Sequence, residues 1–396
     1  MTIKIAGTTF EMYNKVSVNL IYDSVASKFS FSLYFDPNNA SHRAALQPGK
    51  YPPVTITHNG ELLITGTLLS YAFESSAVNH LVSISGYSRT GVFEDCQIPD
   101  SLYPLQSNGK SLTAICTKIC NYFGIGLVVD DIVKNICGDP IPTINADITQ
   151  TIASFLSEIA GQLNVVLSHT SKGELLLTKW KSKDASEPFM TIINNLPNEQ
   201  KKEVIINEGK PSDRGSIANF TYGMQGVSFK ISFDGQKMHS SITVSGQAPI
   251  SGGNTTSGTP LKNPYVGTEN TVALKDQNDI NNAQIYGTVA TIPRPKVMNS
   301  TTATNLTVDK AQRNALSDEL KSIPLNITVH GWDLGGNIAR AGDIVTVTNP
   351  YLHIYNKTRF FIQSVEYKGD NVDETCILNC VVPETFNNDT PKNIFV

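Results

Sequence analysis

Apolar and polar residues alternate in several short segments of the chain, and this pattern limits the folds it can adopt. The alternation runs over Val16–Tyr22, stops at a turn around Asp23, and resumes over Phe29–Phe35. A period of two residues puts the apolar side chains on one face of a strand, so the segment predicts a β-hairpin with one buried face. Similar segments follow at 54–57, 62–71 and 81–85, separated by Gly, Asn and Pro residues. We therefore expect a compact antiparallel barrel or sandwich over residues 1–95.

The middle of the chain has the periodicity of helices. Residues 112–123 carry apolar side chains at helical spacing between an N-cap serine, Ser111, and a closing glycine, Gly124. A second apolar stripe runs through residues 149–164. The segment 165–180 predicts a hairpin, and a small α+β domain is expected over residues 96–205.

Strand patterns return after residue 206 and alternate with other elements up to residue 386. Residues 245–264 are rich in Gly, Ser, Thr, Asn and Pro, which is typical of an exposed loop or linker. A helix is predicted over residues 308–322, because the pattern is helical and Pro324 ends it. Clean alternation at 343–348 and 359–367 predicts two closing strands.

Two parts of the chain resemble each other in sequence. Val16–Asp23 aligns with Val227–Asp234 at an offset of 227 − 16 = 211, and the alignment continues without a gap to Phe31 and Ile242. Chance is the alternative explanation, because alternating strands resemble one another. The shared turn aspartate and the ungapped hairpin favour an internal duplication.

A second match supports the same interpretation. The segment that ends at Tyr71 aligns with the segment that ends at Tyr367, an offset of 367 − 71 = 296, and the match extends to residues 81–84 and 377–380. The chain is thus predicted to be mainly β with α+β insertions: two similar antiparallel tube-like β-barrel domains plus smaller α+β domains. The first tube-like domain covers 1–95 and the second 206–245 with 325–386; residues 246–324 are an insertion with a flexible loop and a helix, and 387–396 a C-terminal tail. Three such chains would offer six similar domains, so a trimer could meet a six-fold partner.

Composition excludes several classes of function. Charged residues are 17% of the chain, and 31 basic against 35 acidic residues give a net charge of −4 without a basic run. Specific nucleic-acid binding is therefore not expected, although DNA could pass through a channel. The N-terminus has no signal-peptide core, and no segment reaches the roughly 18 apolar residues of a membrane span. We expect a cytosolic product.

Residues that could carry chemistry do not form a recognised constellation. The glycines of 331–337 favour a turn over a phosphate cradle, and Asp130-Asp131 favour a solvated pair over a cation site. Glu94-Asp95-Cys96 is better explained as a boundary turn than as a nucleophile site. Trp180 and Trp332 are expected to anchor a core or an interface. The scattered histidines have no ligand spacing, and the six cysteines are expected to be buried free thiols. No catalytic, cofactor-binding or metal-binding residues are predicted, and no enzymatic activity.

The order of several motifs resembles the baseplate hub proteins of Mu-like contractile phage tails, within the late control gene D and T-even hub group. The likeness covers roughly residues 10–386, and a departure is Asn337-Ile338, where the family often has a second Trp. The motifs that carry it are Ser85–Pro99, Phe123-Gly124-Ile125, 224–247, Arg294-Pro295, the helix 310–322, Gly331-Trp332, Gly342–Val347 and Val382–Phe386.

The resemblance implies a structural role in the virion tail baseplate, after assembly in the host cytoplasm. It implies a homotrimer around a central channel that joins the hexameric tail tube to the trimeric membrane-piercing spike, with the spike, the tube or tape-measure protein and the baseplate wedge as partners. Two alternatives stay open. One is the base of a type VI-like secretion spike, which would usually continue into a C-terminal β-helix. The other is a glycan-binding or glycan-cleaving tail protein, which would need a carboxylate pair in an aromatic cleft.

Overall fold

Strands make up most of the regular structure in a computed structural model of the chain. The structure describes residues 1–76, 80–102, 109–141, 146–180, 188–194, 202–205, 227–246, 260–266, 294–300, 308–334, 337–370, 372–387 and 393–395. These ranges form two compact units. The first unit consists of 1–179, 328–342 and 362–378, and the second of 180–327, 343–361 and 379–396.

The strands of the described ranges are β1 (Thr2–Ile5), β2 (Thr8–Phe10), β3 (Tyr13–Ile21), β4 (Lys28–Tyr34), β5 (Pro53–His58), β6 (Glu61–Ser75), β7 (His80–Ser88), β8 (Leu127–Val129), β9 (Val166–His169), β10 (Leu175–Thr178), β11 (Met190–Asn194), β12 (Lys202–Ile205), β13 (Val227–Ile231), β14 (Ser241–Gly246), β15 (Leu261–Lys262), β16 (Pro295–Ser300), β17 (Leu325–His330), β18 (Ile344–Asn349), β19 (Ile354–Asp370) and β20 (Glu374–Val381). The helices are α1 (Ala40–Ala45), α2 (Val92–Asp95), α3 (Leu112–Phe123), α4 (Lys134–Gly138), α5 (Ile152–Leu163), α6 (Val308–Leu320) and α7 (Glu384–Asn387).

The first unit contains the predicted N-terminal β-sheet. Its strands lie in the order β2-β1-β5-β6-β7-β4-β3, and the second half of β19 follows β3. The predicted hairpin is confirmed: β3 and β4 pair antiparallel, with Val16 opposite Phe31 and Val18 opposite Phe29. These four side chains are buried, because the period of two sends them all to one face.

The predicted helices of the middle segment are confirmed, together with their caps. The hydroxyl of Ser111 accepts a hydrogen bond from the backbone N–H of Ala114, and Gly124 ends α3 at φ +62°. Thr151 caps α5 in the same way, and Asn164 ends it in the left-handed region. Both helices bury one apolar face in a core that they share with the sheet β8-β10-β9, whose β9–β10 hairpin is also as predicted.

In the second unit, β11 pairs with β12 and, in parallel, with β18, which pairs with the first half of β19. The segment from 188 to 205, expected to belong to the α+β domain, thus contributes strands beside β18. The predicted closing strands are confirmed as β18 and β19. The helix predicted before Pro324 is confirmed as α6.

One expectation about the internal repeat is wrong. The ungapped alignment predicted that β14 pairs with β13 in a hairpin, in the same way that β4 pairs with β3. Instead, β13 pairs with β17, and β14 lies between β15 and β16 in a separate sheet. Ile242 and Val244 of β14 are buried all the same, because α6 covers this sheet through Ala315 and Leu316. An alternating strand can bury its apolar face in either sheet, so the pattern does not select the partner.

The corrected pairing makes the strand order of the two repeats agree. In the first repeat the order is β3-β4-β7-β6-β5, and in the second it is β13-β17-β20-β19-β18. We number the strands of each repeat in chain order and leave out β14–β16, which form a separate sheet. Both repeats then have the spatial order first, second, fifth, fourth, third. The chain is therefore mainly β, as predicted, with smaller helical modules.

Candidate assembly surfaces

The residues that the sequence singled out for chemistry lie in structural roles. Asp130 accepts a hydrogen bond from Thr178 at 2.9 Å, and Asp131 beside it is exposed. Glu94, on the short helix α2, accepts a hydrogen bond from Ser24 at 3.1 Å. Trp332 is 2% exposed and donates to the carbonyl of Lys368 at 2.7 Å, which confirms it as a core anchor.

The prediction that the cysteines are free thiols is confirmed. All six cysteines are free, and only Cys96 is partly exposed. Burial raises the pKa of the Cys137 thiol to about 11 and that of the Cys120 thiol to about 12, which makes both poor nucleophiles. After Gly331, Leu334 and Asn337 form an isolated antiparallel bridge.

The histidines are dispersed through the fold. His58 contacts Asp333 at 2.9 Å, His239 contacts Glu319 at 2.8 Å, and burial lowers the pKa of His169. Within the described ranges, no three or more His, Cys, Asp or Glu side chains are arranged to hold a metal ion. In the part of the chain that the structure describes, no helix has the length and apolar character that a bilayer crossing requires.

Serine side chains form two rows across the sheet of the first unit, on the face opposite the buried core. The first row runs, strand by strand and in register, Lys368–Ser17–Ser30–Ser85–Ser70. The second row runs Asp370–Lys15–Ser32–Ser83–Ala72. Together they line a shallow groove of about 590 Å³.

Over β4, β7 and β6 the two rows of this serine face contain only Ser and Ala side chains. The charged groups that line the groove, Lys15, Lys368, Asp370 and Asp373, lie at the β3 and β19 end, where Glu366 also accepts a hydrogen bond from Ser17 at 3.2 Å. There the backbone N–H groups of Val372 and Asp373 hold the pKa of Asp370 below its usual value, with a smaller contribution from Lys15. A surface of hydroxyls binds water and has no row of cations that would hold phosphates.

The two long strands β6 and β19 hold equivalent tyrosines. The hydroxyl of Tyr71 donates to the carbonyls of Gln47, at 3.2 Å, and Lys50, at 2.8 Å. The hydroxyl of Tyr367 donates to the carbonyl of Ala339. Each acceptor lies between the second and third strands of its own repeat, so the two contacts are equivalent in the repeated strand order. This agreement is independent of the sequence alignment that paired the two tyrosines.

The second halves of the two long strands differ in their neighbours. Residues Ser364–Asp370 of β19 pair antiparallel with β3, and Tyr367 is 0% exposed. In β6, the first half pairs with β5 as far as Thr67, and Leu68 still donates to Pro52. Beyond this point, no described strand pairs with the edge of β6 that faces away from β7.

This open edge carries aromatic side chains. Phe73 is 44% exposed and packs edge-on against Phe35 and Tyr71, with ring centroids 5.3 and 6.1 Å apart. A second open edge belongs to β13, which among the described strands pairs only with β17. Open strand edges present unpaired backbone groups and are templates for pairing with another chain. Neither open edge was predicted from the sequence, nor were the serine rows, although the serines alternate visibly in β4 and β7.

The sequence matches no family model and no curated protein sequence. The fold is similar to the 43 kDa tail protein of prophage MuSo2 from Shewanella oneidensis, at TM-score 0.69 and 19% identity over 98% of this chain and 99% of that chain. It is similar to the tail protein from Neisseria meningitidis MC58, at TM-score 0.68 and 15% identity over 98% of each chain. It is also similar to the E. coli c3393 protein, a type VI secretion component described as similar to T4 tail proteins gp27 and gp5, at TM-score 0.50 and 7% identity over 99% of this chain and 80% of that chain. The chain therefore has the fold of prophage tail proteins, a fold that also occurs in a type VI secretion component.

Proposed function

We propose that the chain is the structural hub of a contractile phage-type tail baseplate, without enzymatic activity. Three copies form a ring of six similar modules around a central channel. This ring joins a hexameric tail tube, or its tape-measure protein, to a trimeric membrane-piercing spike, and baseplate wedge proteins surround it. The proposed location is the virion tail, after assembly in the host cytoplasm.

The observation that carries this proposal is the strand order that occurs twice in one chain. The order β3-β4-β7-β6-β5 is repeated as β13-β17-β20-β19-β18, and the hydroxyls of Tyr71 and Tyr367 make equivalent contacts. A chain with two similar modules can present six of them as a trimer, so a three-fold spike and a six-fold tube can share one adaptor. We keep the predicted boundaries at residues 95, 324 and 386 as part of this proposal, whereas the pairings of β11, β12 and β14 do not follow the predicted boundaries at 205 and 245.

The serine face supports the presence of a channel. Ser17, Ser30, Ser85 and Ser70 form a row of hydroxyls across four strands of the first repeat, with Lys368 and Glu366 at its Ser17 end. A channel wall of this kind does not grip DNA or a polypeptide by charge, which suits passive passage. The net charge of −4 is consistent with this role.

The base of a type VI-like secretion spike is a second candidate, favoured by the similarity to the E. coli c3393 protein over 99% of this chain. That protein is longer, since the match covers 80% of it. A glycan-cleaving role has less support. The groove along the serine face is lined by six serines, and Phe31 is the one aromatic side chain among its described lining residues.

The mass of the full-length protein in solution tests the proposal. Sedimentation at rising concentration, alone and with the spike protein from the same gene cluster, should yield a species of three times 43.1 kDa. Averaged electron-microscope images of that species should display a ring with a central hole. A protein that stays monomeric in both settings contradicts the hub function.

A further inference from the structure

We propose that the copies associate by strand pairing: the outer edge of β13 in one copy pairs antiparallel with the open edge of β6, from Leu69 to Phe73, in the next copy. This inference rests on the proposed trimer and specifies which residues form its interface. Its basis is a pairing that already exists inside the chain, between β3 and the second half of β19.

The internal pairing supplies the register. Opposite residues in it include Val365 and Leu20, Tyr367 and Val18, and Gly369 and Val16. The repeat relates β3 to β13 by 227 − 16 = 211 and β19 to β6 by 367 − 71 = 296. The same geometry between copies then places Leu69 opposite Ile231, Tyr71 opposite Phe229, and Phe73 opposite Val227.

The chemistry of the two edges agrees with this register. Val227, Phe229 and Ile231 of β13 are partly buried, whereas Ser228 and Lys230 between them are exposed. The register places the three apolar residues opposite apolar residues of β6. It places Ser228 opposite Ala72 and Lys230 opposite Ser70, which continues the polar rows of the serine face into the next copy.

A shift of one residue would remove this match. Successive side chains of a strand point to opposite faces, so a one-residue slip would turn Phe229 towards the serine face. Aromatic and β-branched cross-strand pairs each contribute about 0.2–1 kcal/mol over alanine pairs, so the proposed register is also the more stable one.

The exposure of the two strand ends differs as the proposal requires. Phe73, at the open end of β6, is 44% exposed, whereas Tyr367, at the end of β19 that pairs with β3, is 0% exposed. Each copy carries one open edge of each kind, so the contact is head-to-tail and every copy both gives and receives a strand. When the ring closes, a contact of this type leaves neither the β6 edge nor the β13 edge unpaired.

Paired cysteine substitutions in the full-length protein test the register. The matched pairs are Tyr71→Cys with Phe229→Cys and Phe73→Cys with Val227→Cys. The crossed pairs, Tyr71→Cys with Val227→Cys and Phe73→Cys with Phe229→Cys, use the same four positions. Directly opposite residues are within reach of a disulfide, whereas diagonal residues about 7–8 Å apart are beyond it. Under mild oxidation, the matched pairs should give covalent dimers and trimers, and the crossed pairs and single cysteines should not.

The outcomes separate the two proposals. A trimer by mass in which the matched pairs fail to cross-link, or the crossed pairs cross-link equally well, overturns the pairing and leaves the proposed function standing. The absence of any trimer, with or without the spike protein, overturns both.

A single substitution supplies a second measurement. Phe73→Ser should raise the concentration at which half of the chains are trimeric by about tenfold or more, which corresponds to 1.4 kcal/mol per tenfold. Its circular dichroism should match that of the parent chain, because the side chain is already half exposed. Tyr122→Ser on α3, at another exposed aromatic position (55%), is the matched control and should leave association unchanged. Equal association of the two variants and the parent contradicts the interface.

Discussion

The long strands β6 and β19 hold equivalent tyrosines in equivalent hydrogen bonds, yet their second halves have different surroundings. The end of β19 is paired with β3 and covered by Trp332, and Tyr367 has no exposed surface. The end of β6 has an open edge among the described residues, and Phe73 is 44% exposed. The two repeats of the chain thus differ at this point: β3 of the same chain pairs with the end of β19, whereas no described strand pairs with the outer edge at the end of β6. The second repeat is completed by β3 of the same chain, and the proposed pairing between copies would complete the first repeat in the same way.

The largest expected effect concerns the cover on β19. Trp332→Ala should lower the free energy of unfolding by about 3–5 kcal/mol, because it removes a buried indole and its hydrogen bond to Lys368. Gly369 leaves room for this ring, since a Cβ there would lie 2.4 Å from it. Urea unfolding measures the loss. Tyr51→Ala, at a 64% exposed position, should change stability by less than about 0.5 kcal/mol. Equal effects of the two variants would mean that β19 does not depend on its cover.

Hydrogen exchange compares the two strand ends directly. In the isolated chain, amides in Ser364–Asp370 should exchange roughly a hundredfold more slowly than those β6 amides after Leu68 that face away from β7, because open edges exchange by local fluctuation. Amides of β6 that bond to β7 serve as an internal control and should be protected. Peptide-resolved or NMR exchange provides the measurement. Equal protection of both strand ends in the monomer would remove the distinction between them.

Removing each tyrosine hydroxyl tests the equivalence of the two contacts. Tyr367→Phe should cost about 1–3 kcal/mol, because it leaves the carbonyl of Ala339 without its donor in a buried site. Tyr71→Phe should cost less than about 0.5 kcal/mol, because water can replace the hydroxyl at an exposed contact. Chemical denaturation of both variants under the same conditions measures the difference. A larger loss for Tyr71→Phe would reverse the assignment of the open end.

The smallest expected effect is a difference in alkaline stability. Burial raises the pKa of the Cys376 thiol on β20, whereas the aligned residue of the first repeat, His80, is exposed. The folded chain therefore holds this proton more tightly than the unfolded chain. The protonated thiol's contribution to the free energy of unfolding is complete below the pKa of an unfolded thiol, about 8.5. This contribution decreases as the pH rises from that value towards the raised pKa of the folded state. Cys376→Val should flatten the loss of stability between pH 8 and 10 in urea titrations, and His80→Val should leave it unchanged. An unaltered slope in Cys376→Val would exclude this thiol as the source.

Local patterns were enough to predict most of the elements. The hairpin β3–β4, the capped helices α3 and α5, the helix before Pro324 and the two closing strands all follow from periods of two or 3.6 residues and from capping chemistry. These signals are local, since each depends on neighbours within a few residues. The structure also supports the alignment of Tyr71 with Tyr367. The hydroxyl of each tyrosine donates to a backbone carbonyl in the loop after the second strand of its repeat.

Pairing was where prediction from the sequence failed. The pattern at Ile242 and Val244 correctly indicates a strand with one buried face, but it does not say that β14 joins β15 and β16 instead of β13. The stretches 247–259 and 206–226, predicted as loop and strand, lie outside the described residues. The strands of the candidate assembly surfaces were therefore predictable from the sequence. Which strand edges are paired and which stay open was not.

The sequence by itself determined which residues alternate, where helices begin and end, and that one apolar face is repeated along the chain. Only the tertiary structure decided that β17 and not β14 stands beside β13, that β3 completes β19, and that the end of β6 stays open. The physical reason is that side-chain periodicity defines the faces of a strand, whereas its edges carry the same backbone N–H and C=O groups in every sequence. Which edges meet depends on the competition among all strands for partners, and that competition is settled only when the whole chain has folded.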